Sequence, residues 1–127
     1  MGIHHEKTPP YTPELNGKAE RLNRTLNNMV RTMLLQTNMP DTFWAEAMFT
    51  AVYLLNRLPS SAINDEISYE HWYNKPLSDT ELKLLKPFGC IVWDNIPKQR
   101  HGKRGNYRPL GTKGCFVGYV SSSIYKY

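Results

Sequence analysis

The sequence predicts an α/β chain in two parts, a helical stretch followed by a shorter stretch of strands. Apolar residues recur at three- and four-residue spacing over residues 18–36, the mark of a one-sided helix. Residues 42–58 are apolar around most of a helical circumference. After Pro76 the pattern changes to short β-branched and aromatic runs at 90–93 and 114–120.

Residues 3–15 contain Pro9, Pro10 and Pro13, which fix φ and remove donors. They predict extended chain and then a loop, closed by Asn16-Gly17. Asn16 is placed to cap the helix that follows, its side-chain oxygen accepting a free first-turn N–H. That helix runs to about Gln36, with Ala19, Leu22, Leu26, Met29, Val30 and Met33 on one stripe. Glu20, Arg24, Asn27 and Arg31 share a neighbouring stripe, about one turn apart. Thr37-Asn38-Met39-Pro40 breaks the helix. Asp41 is then expected to cap the second helix, which Pro59 stops. Its apolar circumference predicts burial on several sides. A short helix is expected over 68–74, a linker at 76–86, and strands at 90–93 and 114–120.

The chain has 127 residues and a formal net charge of +5, distributed unevenly. Residues 1–36 carry five Lys/Arg against three acids, 37–97 carry four against eight, and 98–127 carry seven with no acid. The basic loop at 98–108 is either a polyanion contact or a solvated loop. Cys90 and Cys115 lie in apolar runs without metal-ligand spacing, as reduced residues of an intracellular protein, nuclear or cytoplasmic, would. No apolar run reaches membrane-spanning length and no signal-peptide pattern is expected at the start. His4, His5, His71 and His101 do not form a zinc spacing. Trp44, Trp72 and Trp93 read as core or interface aromatics rather than platforms for stacked bases.

Glu20 is the residue with the most chemistry to offer. Divalent ions that activate phosphodiester bonds need anionic oxygen ligands on a rigid element, and a first-turn carboxylate supplies one. Helix geometry alone favours a plainer role, complementing the dipole. Arg24 has a plain role too, as the i,i+4 partner of Glu20, worth about 0.2–0.5 kcal/mol on an exposed helix.

The stretch from Gly2-Ile3-His4-His5-Glu6 through Pro10-Tyr11-Thr12-Pro13-Glu14-Leu15-Asn16-Gly17-Lys18-Ala19-Glu20-Arg21-Leu22-Asn23-Arg24 closely resembles the integrase of copia-type LTR retrotransposon Pol polyproteins. The resemblance continues, in order, through Phe43-Trp44-Ala45-Glu46-Ala47, Tyr53-Leu54-Leu55-Asn56-Arg57-Leu58-Pro59, Tyr69-Glu70-His71-Trp72, Pro87-Phe88-Gly89-Cys90 and Gly114-Cys115-Phe116-Val117-Gly118-Tyr119. It implies the C-terminal helical portion of a ribonuclease H-like core over 1–75 and a linker over 76–86. An incomplete small SH3-like β-barrel would follow over 87–127.

The resemblance further implies that Glu20 is the last acid of an Asp-Asp-Glu set, a catalytic residue and, in the complete enzyme, a ligand of Mg2+ or Mn2+. This chain alone is not expected to bind the ion tightly. The two Asp ligands would lie upstream, since Asp41, Asp65, Asp79 and Asp94 all follow the helix. Tyr11, Asn16, Arg24 and Asn27 match positions that touch the element's DNA end. Partners implied are element-end and target DNA, the remainder of the integrase, and a second copy in a homo-oligomer. Metal-dependent polynucleotidyl transfer would belong to the complete enzyme, and this chain alone is expected to be inactive. A different reading is a co-opted, non-catalytic module binding DNA or protein.

Overall fold

The computed structural model describes residues 16–95, 111–121 and 124–127. It is a mixture of helices and short antiparallel strands, with no closed barrel among the described residues. Helix α1 spans Gly17–Thr37 and ends at Asn38, whose left-handed backbone (φ 52°) lets its N–H reach the Leu34 and Leu35 carbonyls. A single 3-10 turn, Asp41–Phe43, leads into α2, Trp44–Leu55. Strands β1 (Pro59–Ser60) and β2 (Glu66–Ile67) pair across a turn carrying left-handed Asn64 and Asp65. Helices α3 (Ser68–Tyr73) and α4 (Asp79–Lys83) follow. Strand β3 (Ile91–Asn95) pairs antiparallel with β4 (Gly111–Cys115), with Ile91 opposite Cys115 and Asn95 opposite Gly111. Strand β5 (Gly118–Tyr119) pairs with β6 (Tyr125–Lys126).

The core sits between α1, α2 and the strand region. Leu26, Val30 and Leu34 of α1 meet Ala47 and Ala51 of α2, joined by Phe88 and Val117. The small α2 residues let the helices approach closely, so the core is one helix–helix seam closed by the β segment. The buried stripe of α1 lies further along than the periodicity predicts, because Leu22 is half exposed while Leu34 is buried.

Several expectations need correction. Asn16 does not cap α1: its ψ of 12° is not the extended backbone of a capping residue, and its side chain accepts no first-turn N–H. Asp41 does not cap α2 either, since it lies inside the 3-10 turn and Trp44 starts the helix. Helix α2 ends at Leu55, earlier than Pro59 requires, as the chain tightens through Arg57 N–H to Leu54 O and Leu58 N–H to Leu55 O. The second helix is not covered on several sides by the described residues, which leave Trp44, Phe49 and Val52 exposed. Trp72 and Trp93 are exposed as well, so none of the three tryptophans is a core residue here.

The expected strand at 114–120 is two strands. Phe116 N–H still bonds Cys90 O, but Val117 N–H turns to Lys126 O, so the chain changes partners between Phe116 and Val117. Gly118 follows at φ +153°, where a β-carbon would come within 3.2 Å of the Thr50 hydroxyl. Residues 76–86 carry α4, held by a capping box in which Ser78 Oγ accepts the Glu81 N–H while the Glu81 carboxylate accepts the Ser78 N–H.

Candidate nucleic-acid interface

Asn16, Glu20, Arg24, Asn27 and Arg31 are all exposed on α1. At 3.6 residues per turn the last four fall within one narrow arc, about a turn apart, and the α1 fold thus brings Glu20, Arg24 and Asn27 onto one face. Asn16 stands just before the first turn. Tyr11 lies outside the described residues, as do His4, His5 and the basic loop at 98–108.

Among the described residues no ion pair holds the side chains of this face. Glu20 and Arg24 make no ion pair, so the intrahelical partnership is not what holds either side chain. Arg21 instead donates from Nε to Gly17 O at 3.3 Å. The threonines turn back on the helix, Thr25 donating to Arg21 O (3.1 Å) and Thr32 to Asn28 O (2.9 Å). The result is a helix presenting Lys18, Arg21, Arg24 and Arg31 to solvent with Glu20 as its only acid. Asn27 and Arg31 also line an open groove of about 590 Å³ that runs to Asp41 and Trp44.

A face of this kind can do two things. Its guanidinium groups meet phosphate, and the Asn27 amide can read a base edge. The Glu20 carboxylate is a hard oxygen donor of the type Mg2+ and Mn2+ take. It is one donor: among the described residues no group of three or more His, Cys, Asp or Glu side chains converges on a common point.

Sequence reasoning missed a second aromatic and cationic cluster. Arg57 stacks between Tyr53 and Tyr69, its Cζ 3.6 Å and 4.4 Å from their ring centroids. The Tyr53–Arg57 half was legible as an i,i+4 pair near the end of α2. Tyr69 was not, because only the β1–β2 turn returns the chain to that place: Tyr69 N–H bonds Asn56 O at 2.9 Å.

No family model and no solved structure matches the chain. Curated relatives do. The chain is 47% identical over 102 residues to the Retrovirus-related Pol polyprotein from transposon TNT 1-94 of Nicotiana tabacum, covering 80% of this chain and 8% of that protein. It is 34% identical over 125 residues to the Retrovirus-related Pol polyprotein from transposon RE2 of Arabidopsis thaliana, covering 98% of this chain and 8% of that one. A shorter relative, an uncharacterized mitochondrial protein of Arabidopsis thaliana, is 36% identical over 93 residues, which are 73% of this chain and 70% of the relative. Two of these relatives are named as polyproteins of transposons and the third is uncharacterized. The chain belongs to the retrovirus-related Pol polyproteins of copia-type retrotransposons. It spans 8% of the length of the polyproteins it matches.

Proposed function

We propose that this chain is the part of a retrotransposon integrase that carries the last metal-binding acid and a DNA-contacting helix. The observation that carries the reading is the α1 face, where Glu20, with no ion-pair partner among the described residues, stands beside Arg24 and Asn27 on a helix otherwise cationic. In this reading residues 1–75 belong to a ribonuclease H-like core and 87–127 begin an SH3-like module. Glu20 is the catalytic carboxylate and contributes one oxygen ligand to Mg2+ or Mn2+. The remaining acids come from the portion of the polyprotein that precedes this stretch. A bound pair of such ions supplies activation of water or a DNA 3′-hydroxyl and charge stabilisation at the phosphate. The chain's own residues position the DNA: Arg24 holds a phosphate, Asn27 contacts a base edge, and Tyr11 and Asn16 touch the element's end. The partners are element-end and target DNA, the rest of the integrase, and a second copy in the assembled enzyme. Chemistry by this stretch alone is not expected, because one carboxylate does not hold two ions.

Salt-dependent binding of duplex DNA by the full chain tests the reading. R24A should weaken binding to all sequences and make the log–log salt slope shallower by about 0.9. N27A should weaken binding chiefly to element-end sequences. A chain that binds no duplex at low salt, or an R24A variant with an unchanged slope, would sink the DNA-contact assignment.

A further inference from the structure

Trp72 stands 83% exposed on α3, and Tyr73 beside it is 61% exposed. Together with Asn56, Arg57, Ser68 and Tyr69 they line an open pocket of about 400 Å³. Arg57 is the unusual member. The Tyr53 and Tyr69 rings both lie against its guanidinium carbon, and contacts of this kind restrict the orientation of the planar group. Nη1 donates to Tyr53 O at 3.2 Å, and no other acceptor among the described residues takes a further N–H from it. No carboxylate among the described residues lies within ion-pair distance of it, although the Glu81 charge is near enough to act on it. Glu66 pairs with His71 at 3.1 Å, Glu70 accepts the Leu77 N–H at 2.6 Å, and Glu81 closes the α4 capping box.

Such a pocket combines a bare indole face, a pre-oriented guanidinium edge, and an amide and a hydroxyl at its wall. An apolar protein segment would cover the indole but leave the guanidinium donors unmatched, which is costly. A ligand that is planar at one end and anionic at the other satisfies both. We infer that this pocket binds one unpaired nucleotide, its base stacked on Trp72 and its phosphate on Arg57. The limit to one nucleotide follows from charge: residues 37–97 carry eight acids against four basic residues, which disfavours a longer phosphate track. The nucleotide can be free or part of a single strand. The inference does not rest on the α1 reading, with which it shares no residue.

The test uses the full chain carrying W44F and W93F, so that Trp72 alone reports; both replaced side chains are exposed. Oligothymidylate and dTMP should each quench Trp72 fluorescence. Equal affinities assign the site to the free nucleotide, and a much tighter oligonucleotide assigns it to a strand. R57K, which keeps the charge and loses the planar fork, should weaken quenching about tenfold, as should removal of the stacking face. W72A is read by calorimetry with dTMP, and its exposed position keeps the fold out of the comparison. W72A or R57K with unchanged affinity would overturn the inference. So would quenching by a proline-rich peptide with none by either nucleotide, which would make this a protein-docking pocket.

Discussion

The Tyr53 ring lies flat on the Tyr119 ring, centroids 4.2 Å apart and planes 10° from parallel, so that α2 and β5 meet face to face. Tyr119 also touches Phe116 edge-on at 4.9 Å, and its hydroxyl donates to Lys86 O (2.9 Å) while accepting the Lys86 N–H (2.7 Å). One side chain therefore joins the helical part, the segment after α4 and the strands. Burial pushes both phenols above their ordinary range, which keeps Tyr119 protonated and able to donate. Y119A should cost about 3 kcal/mol by losing the ring contacts, and Y119F about 1 kcal/mol by losing the hydrogen bonds. Urea denaturation of the two variants separates these contributions; equal losses would assign the whole effect to the hydroxyl.

Gly89 is fixed by geometry of a different kind. Its φ is +76°, and a methyl group on its α-carbon would collide with the Thr37 side chain at the end of α1. Its N–H also bonds Phe116 O at 2.8 Å, so the backbone cannot swing away without breaking the link to the strands. G89A should therefore cost at least about 2 kcal/mol, strain and clash together. An alanine variant as stable as the parent in the same urea titration would show that the Pro87–Cys90 turn is free to move.

Glu46 on α2 and Lys126 on β6 meet at 3.0 Å. The hydrogen bond from Lys126, first, and one from the backbone hold the Glu46 carboxyl below its usual range. A carboxyl with a lowered folded-state pKa stabilises the fold fully above its unfolded value, about 4.3, and loses that contribution as pH falls through the folded value. Thermal midpoints should thus be insensitive to this pair near neutrality and drop on the acid side below about pH 4. E46Q should flatten part of that acid-side drop, and an identical pH profile for E46Q would remove the pair from the stability account.

How much of this was legible in the sequence depended on how local the cause was. The α1 helix and its stop at Asn38-Met39-Pro40 follow from spacing and a left-handed cap, both written in adjacent residues. The Ser78–Glu81 capping box was equally local, a serine with a glutamate three residues on, and went unread within a presumed linker. By contrast, the switch at Phe116–Val117 depends on Lys126 arriving as a new partner, and the clamp on Arg57 depends on a turn that returns Tyr69 to it. The exposure of Trp44, Phe49 and Trp72 was illegible for a related reason. Aromatic residues signal burial only when a covering element exists, and periodicity does not say whether it does. At the α1 face the residue types and their shared arc were readable from the start, while the absence of a Glu20–Arg24 ion pair needed coordinates.

That missing ion pair makes the role of Glu20 measurable. A carboxylate one turn from Arg24, without an ion-pair partner among the described residues, repels DNA phosphate and attracts a divalent cation, so the two ligands report on it with opposite signs. In metal-free buffer E20Q should bind duplex DNA about two- to fivefold more tightly than the parent, the effect of one exposed charge. Added Mn2+ should broaden the amide resonances of residues 17–21 in the parent through its unpaired electrons, and leave them sharp in E20Q. Loss of the dipole contribution costs E20Q no more than about 1 kcal/mol, so the variant remains folded for the comparison. Broadening that persists in E20Q would move the cation to other ligands. Unchanged DNA affinity together with no broadening in the parent would reduce Glu20 to a first-turn acid that complements the helix dipole.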